Sequence, residues 1–255
     1  MTCLRKLATI HLKLRAYLLA ELALRQMKDC ELELVECLVE QQDEEKIKEG
    51  LKILESLEVT QRSLELKATA LIYLYDFDDA EKLIKDFPLL QAKFHRLKGE
   101  NSIAIEILQE TETHSAFLEL GQNLFELKKY DESLINILKA TKLDKDNSEC
   151  FFWLGKIYLA TNDEVRSRKC FEKCLNLNPQ NEKAIAILSA VYRKNNDWDE
   201  NLKLLESSVK TVNGQHQKSA FFQLGLHHLS QQNYDNAITA FRNSLKYDTS
   251  NVKCW

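Results

Sequence analysis

Cys170 and Cys174 are the residues whose type and spacing come nearest to a chemical site. They lie four residues apart, which places both thiols on one face of a helix, as a pair of zinc ligands would be. A zinc site needs further ligands at a similar spacing, and the sequence offers no second pair. We therefore expect both cysteines to pack as small apolar residues, and we predict no metal site.

The sequence also lacks the patterns of common catalytic sites. It has no phosphate-binding glycine loop, no dinucleotide fingerprint, no nucleophile elbow and no His-Glu-x-x-His motif. His227 and His228 are adjacent and so point in different directions on a helix; we expect His228 to fill a packing position and His227 to face solvent. The prediction is a protein with no catalytic residues and no cofactor.

The composition indicates a helical protein. The 255 residues include only 2 prolines and 6 glycines, too few for the turns of an all-β chain. A net charge of −4 argues against tight, phosphate-driven nucleic-acid binding. No apolar stretch is long enough to cross a membrane, and the first residues do not resemble a signal peptide. Seven cysteines at irregular spacing favour reduced thiols, as in the cytoplasm or nucleus.

A repeat of about 34 residues organises the chain. Its members recur at that step, as in Gly121, Ser133 and Ile137, then Gly155, Ser167 and Phe171. With Gly121 numbered as position 8, clear copies begin at 114, 148, 182 and 218, and looser copies at 1, 31, 61 and 85. Apolar residues at positions 4, 7, 8 and 11, and again at 20, 24 and 27, have helical spacing. Each copy is therefore predicted to be a pair of antiparallel helices, brought close by small residues at positions 8 and 20.

These positions resemble the tetratricopeptide repeat, and Asn176-Leu177-Asn178-Pro179 matches the closing turn of that family. The resemblance implies an all-α fold, an α-solenoid of helix-turn-helix repeats. We interpret residues 1–113 as degenerate helix pairs, with an irregular helical cap as the alternative. Residues 252–255 would start a further, truncated repeat, so we expect a fragment of a longer protein, natural or from a truncated gene model. The clear repeats are 114–147, 148–181, 182–217 and 218–251.

The inner surface of the solenoid is the remaining place for function. The family lines it with positions 5, 9, 12 and 13 of each first helix, and some members bind a partner's C-terminal carboxylate there through Lys and Asn at positions 5 and 9. In the four clear repeats only Lys156 is of that type, so binding of acidic tails is not expected. The other positions are largely apolar, which is typical of a partner-binding surface unless curvature or another segment buries them. The predicted partner-binding residues are Leu118, Gln122, Phe152, Lys156, Leu159, Phe222, Leu226 and Leu229.

Further motifs lie in residues 140–144, 168–174, 197–205, 213–214 and 251–255. Together they resemble the large tetratricopeptide scaffold of the superkiller (Ski) complex. The resemblance implies a cytoplasmic protein without enzymatic activity, with a nuclear location left open. Its partners would be an RNA helicase and a β-propeller subunit, and the helicase would deliver mRNA to the exosome for 3′-to-5′ decay.

Two other functions fit the same sequence. The chain could be the regulatory repeat segment of an enzyme, such as a glycosyltransferase or phosphatase, whose catalytic domain lies outside it. It could also be a general adaptor in transport or ubiquitin ligation. Sequence beyond Trp255 would distinguish a scaffold from an enzyme, since continued repeats favour a scaffold and a catalytic motif favours an enzyme.

Overall fold

A computed structural model describes residues 2–13, 17–27, 29–211 and 217–247. Within these residues it contains sixteen α-helices and no strand, which confirms the all-α prediction. The predicted truncated repeat at 252–255 and the motif at 213–214 lie outside the described residues. The helices are α1 (Thr2–Lys13), α2 (Tyr17–Leu24), α3 (Glu31–Glu40), α4 (Glu44–Glu55), α5 (Gln61–Tyr73), α6 (Phe77–Leu83), α7 (Pro88–Leu97), α8 (Asn101–Leu108), α9 (His114–Glu126), α10 (Tyr130–Leu143), α11 (Ser148–Ala160), α12 (Glu164–Leu177), α13 (Glu182–Lys194), α14 (Trp198–Thr211), α15 (Gln217–Ser230) and α16 (Tyr234–Leu245).

The helices divide into two compact units, Met1–Cys150 (unit 1) and Phe151–Trp255 (unit 2). In unit 1 each odd-numbered helix packs on the even-numbered helix that follows it, and α3, α5, α7 and α9 also pack side by side. In unit 2, α13 packs on α14, α15 packs on α16, and α13 contacts α15. The division after Cys150 reflects contacts between helices. The boundary at residue 113 separates the degenerate from the clear copies of the repeat in the sequence, and it stays a prediction.

The two helices of a pair are joined by a tight turn that contains one residue with positive φ. Asn162 illustrates the geometry, with a φ of 60°. The backbone N–H of Asp163 bonds the carbonyl oxygen of Tyr158 at 2.7 Å, which closes α11, and the Asp163 side chain accepts from Arg166 N–H to cap α12. The corresponding positive-φ residues of other pairs are Gln42, Tyr75, Gly99, Lys128, Asn196 and Gln232.

Two small positions set how closely the helices of a pair approach. Ser133 donates a hydrogen bond of 2.6 Å to the carbonyl oxygen of Gly121, and Ser167 donates one of 2.9 Å to that of Gly155. A Cβ atom built on Gly155 would lie 2.8 Å from the ring of Phe171, which is fully buried. The small residues at positions 8 and 20 are therefore demanded by the packing of the two helices, as the repeat pattern predicts.

Candidate protein-interaction surface

On α11, the predicted inner residues Phe152, Lys156 and Leu159 follow one another at helical spacing. Phe152 is only 9% exposed, because its ring packs 5.9 Å from that of Phe171. The Lys156 ammonium lies 3.8 Å from the centre of the Trp153 ring, within the range of a cation–π contact. Lys156 and Leu159 are half-buried, so they are the parts of this helix face that a partner could reach.

On α15, the equivalent residues Phe222, Leu226 and Leu229 are more accessible. Phe222 is half-buried, with its ring 5.7 Å from that of Phe241. Leu226 is half-buried, and Leu229 is 45% exposed. These three residues present apolar surface to solvent within unit 2.

An open apolar groove of about 390 Å³ lies between α11 and α13. It exists because α13 carries alanines, Ala186 and Ala190, at the two inner positions where α11 carries Phe152 and Lys156. Ala190 is exposed, and Lys194 at one end is paired with Glu164. The groove could accept an apolar side chain of a partner. Its lining residues are Leu159, Ala186, Ile187, Ala190, Val191 and Lys194.

The two remaining predicted residues, Leu118 and Gln122 on α9, lie in unit 1 and are buried. Leu118 is 4% exposed, so the expectation of an exposed apolar stripe does not hold at that position. Gln122 is 5% exposed and donates a hydrogen bond of 3.1 Å to Glu149. Other first helices of unit 1 carry polar residues that are half-buried, such as Tyr73 on α5 and Lys93 on α7. Lys93 occupies position 9 of the looser copy at 85. Because that copy matches the repeat only weakly, the sequence pattern did not identify Lys93 as a residue of interest.

The expectation that His227 faces solvent is wrong. His227 is 1% exposed, and its Nδ1 lies 2.9 Å from Nδ2 of Asn201 on α14. The indole of Trp198 packs edge-on at 5.9 Å from the His227 ring. Position 20 is a small residue in the other copies of the repeat, whereas in the copy at 182 it is the larger Asn201. The His227 ring packs beside this asparagine. His228 is half-buried, in keeping with its predicted packing position.

The cysteines form no reactive site in the described residues. Cys174 is fully buried, and burial raises the pKa of the Cys170 thiol to about 11. Cys150 Sγ lies 3.4 Å from Nε2 of His114, a pair that sequence reasoning missed because 36 residues separate its members. Since Cys150 is fully buried, a substrate could not reach that thiol. Among the described residues, no group of three or more His, Cys, Asp or Glu could hold a metal ion.

Within the described part of the chain, every helix falls short of the length and apolar character needed to traverse a bilayer.

Known proteins resemble this chain in both sequence and fold. "Tetratricopeptide repeat protein 37" of Xenopus laevis is 24% identical over 244 residues, and human "Superkiller complex protein 3" is 23% identical over 244 residues. Each alignment covers 86% of this chain but only 16% of the relative, so the chain spans about one sixth of their length. The human IFIT1 dimer with PPP-AAAA has a similar fold, with a TM-score of 0.66 at 15% identity over 85% of this chain and 58% of that one.

Family models for the tetratricopeptide repeat match residues 148–181, 114–147 and 219–251. The helix pairs, the small residues at their contacts and these matches agree with one another. Residues 114–181 and 219–251 of this chain are therefore tetratricopeptide repeats.

Proposed function

We propose that this chain is a non-catalytic protein-interaction scaffold, an internal part of the tetratricopeptide subunit of a superkiller complex. In that role it helps to hold an RNA helicase and a β-propeller subunit for exosome-coupled 3′-to-5′ decay of cytoplasmic mRNA. The alignment with human "Superkiller complex protein 3" over 86% of this chain is the observation that carries the proposal.

The accessible apolar surface of unit 2 supports the scaffold function. The groove at Leu159, Ala186 and Ala190 offers a pocket for an apolar side chain, and Phe222, Leu226 and Leu229 extend the apolar surface of the same unit on α15. Buried apolar anchors supply much of the affinity of protein interfaces. The net charge of −4 also favours a protein partner over bare RNA.

Co-precipitation tests the proposal. The tagged 255-residue chain is expected to recover both the helicase and the β-propeller subunit from cells that contain them. Ala190→Arg fills the groove with a charge, and it is expected to weaken recovery, since loss of an interface anchor costs about 2 kcal/mol or more. Val165→Arg is the matched control, because Val165 is 68% exposed on α12 and does not line the groove.

Three results would contradict the proposal or a part of it. Recovery of neither subunit by the unaltered chain would remove the superkiller assignment. Equal loss with Ala190→Arg and Val165→Arg would remove the groove from the interface. Tight, salt-sensitive binding of bare RNA by this chain would argue against a purely protein-binding role.

A further inference from the structure

Arg193 on α13 is a half-buried cation that no carboxylate of the described residues neutralises. Two other arginines with described burial are half-buried, Arg96 and Arg168, and each forms an ion pair with a carboxylate. Burial lowers the pKa of Arg193, and no described carboxylate opposes that shift. A cation withdrawn from water without a counter-charge is costly, so a carboxylate brought by a partner would offset that cost.

Two hydrogen bonds hold the guanidinium of Arg193 in place. Its Nη1 donates to Oγ of Ser189 at 2.8 Å and to Oε1 of Gln223 on α15 at 3.2 Å. Ser189 is fully buried and α13 contacts α15, so the fold itself orients the guanidinium. These are its hydrogen bonds to described residues, and Nε and Nη2 make none. Neither nitrogen is among the enclosed polar atoms of that part of the chain, so both reach solvent.

The two remaining nitrogens form one edge of the guanidinium. Nε–H and one N–H of Nη2 point in the same direction, as a fork that matches the two oxygens of a carboxylate. A carboxylate has only acceptors to offer and carries the missing negative charge. Because Nη1 is already used, this edge has room for one carboxylate.

The apolar groove lies one helical turn from this edge. Ala190 and Arg193 are three residues apart on α13, so they are neighbours on one face of the helix. Ala190 lines the groove together with Ala186. These alanines are positions 5 and 9 of the repeat, and the cation follows at position 12. Alanine side chains are short, so this part of the α13 face leaves room for a bound segment.

Two nearby cations are already engaged. Lys194, at one end of the groove, pairs with Glu164, and the Lys156 ammonium lies 3.8 Å from the centre of the Trp153 ring. A single guanidinium without a counter-charge suits one carboxylate. It does not suit the row of phosphates along RNA, whose binding requires several cations.

We propose that Arg193 and the apolar groove bind an extended segment of a partner protein in which an aspartate or glutamate lies two positions from an apolar residue. The apolar side chain occupies the groove, and the carboxylate accepts hydrogen bonds from Nε and Nη2 of Arg193. Residues two positions apart in an extended segment are separated by roughly 7 Å. The Cβ atoms of helix residues three apart are separated by about 5–6 Å, so the spacings are compatible. The inference rests on the proposed scaffold function and names the chemistry of its partner.

Fluorescence anisotropy tests the proposal with labelled peptides of twelve residues that repeat the unit Leu-Ser-Asp or the unit Leu-Ser-Asn. The C-termini are amidated, so that only side chains supply carboxylates. Physiological salt screens the net charges of peptide and protein. We expect the full 255-residue chain to bind the Asp peptide about tenfold more tightly than the Asn peptide, since hydrogen bonds between charged groups are the stronger kind.

Arg193→Gln tests the contact itself. This variant should bind the Asp peptide about tenfold more weakly than the unaltered chain does, and it should bind the Asn peptide equally well. Arg242→Gln is the matched control, because it removes the same charge from an exposed arginine on α16. The control should keep the preference for the Asp peptide. Arg193→Lys keeps the charge but not the fork, so its preference should be intermediate.

Several results would overturn the proposal. One is equal affinity of the unaltered chain for the Asp and Asn peptides, a comparison that needs no variant to fold. Another is equal weakening of both peptides by Arg193→Gln, which would indicate damage to the surface as a whole. A third is loss of the preference in Arg242→Gln. Tighter binding of a Leu-Ser-phosphoserine peptide than of the Asp peptide would assign a phosphate to the site in place of a carboxylate.

The failure of this inference is distinguishable from the failure of the proposed function. If the tagged chain recovers the helicase and the β-propeller subunit but does not prefer the Asp peptide, only the Arg193 contact is removed. If the chain prefers the Asp peptide through Arg193 but recovers neither subunit, the superkiller assignment fails and the contact stands.

Discussion

The side-chain amide of Asn201 donates a hydrogen bond of 2.9 Å to Nδ1 of His227, and both residues are buried between α14 and α15. The contact joins the second helix of one repeat to the first helix of the next. Burial lowers the pKa of His227, and the positive charges of His228 and Arg193 lower it further. The imidazole is therefore neutral in the folded protein and accepts the amide N–H.

This histidine predicts that the stability of the protein declines in mild acid. Burial also lowers the pKa of His228, so both imidazoles take up protons more readily in the unfolded chain. The free energy of unfolding should be constant above the ordinary histidine pKa of 6.5 and should fall as the pH drops below it. Urea denaturation at pH 7.5 and pH 5.5 measures the difference, which should shrink in the His227→Gln, His228→Gln double variant. An equal pH dependence in that variant would assign the effect to other groups.

Two glycines in helix interiors should respond oppositely to alanine. In Gly155→Ala the new Cβ would lie 2.8 Å from the buried Phe171 ring, so we expect a loss of roughly 1–3 kcal/mol. In Gly50→Ala the nearest atom is Cγ2 of Val39 at 3.5 Å, an ordinary contact, and the better helix propensity of alanine should stabilise the protein by up to about 1 kcal/mol. Thermal melts of the two variants provide the comparison. A shift in the same direction for both would contradict the packing of α11 on α12.

Ala237 tests the corresponding contact in the last described pair. It is 2% exposed on α16, where an arginine would overpack the contact and bury a charge. We expect Ala237→Arg to lower the free energy of unfolding by at least roughly 1–3 kcal/mol, the cost of overpacking alone. Its neighbour Ile238 is 49% exposed, so Ile238→Arg should have little effect on the same denaturation curve. Similar losses in the two variants would mean that the register of α16 is misassigned.

Phe152 and Phe222 occupy equivalent positions but should differ in their contribution to stability. Phe152 is 9% exposed, and truncation of a core phenylalanine costs roughly 3–5 kcal/mol, so Phe152→Ala should be strongly destabilising. Phe222 is half-buried, and Phe222→Ala should cost clearly less. Chemical denaturation of both variants gives the comparison. Equal losses would show that Phe222 also belongs to the core and is unsuitable for partner binding.

The helix pairs were predictable from the sequence because they depend on local spacing. Small residues at positions 8 and 20 recur every 34 residues or so, and they contact each other within one pair, as Gly121 and Ser133 do. The turn between paired helices is equally local, since Asp163 caps the helix that it begins. A repeat pattern therefore specifies the pair without knowledge of its neighbours.

Burial at the candidate surfaces was decided by the tertiary structure. Position 5 is apolar in Phe152 and in Phe222, and each ring packs on a phenylalanine of the paired helix, yet Phe152 is 9% exposed whereas Phe222 is only half-buried. His227 became a core residue because Asn201, 26 residues earlier, replaced the usual small residue. The environment of Lys93 likewise comes from four other helices. The exposure of these side chains and the charges around them depend on how adjacent helix pairs pack. The spacing of residues along the sequence does not specify that packing.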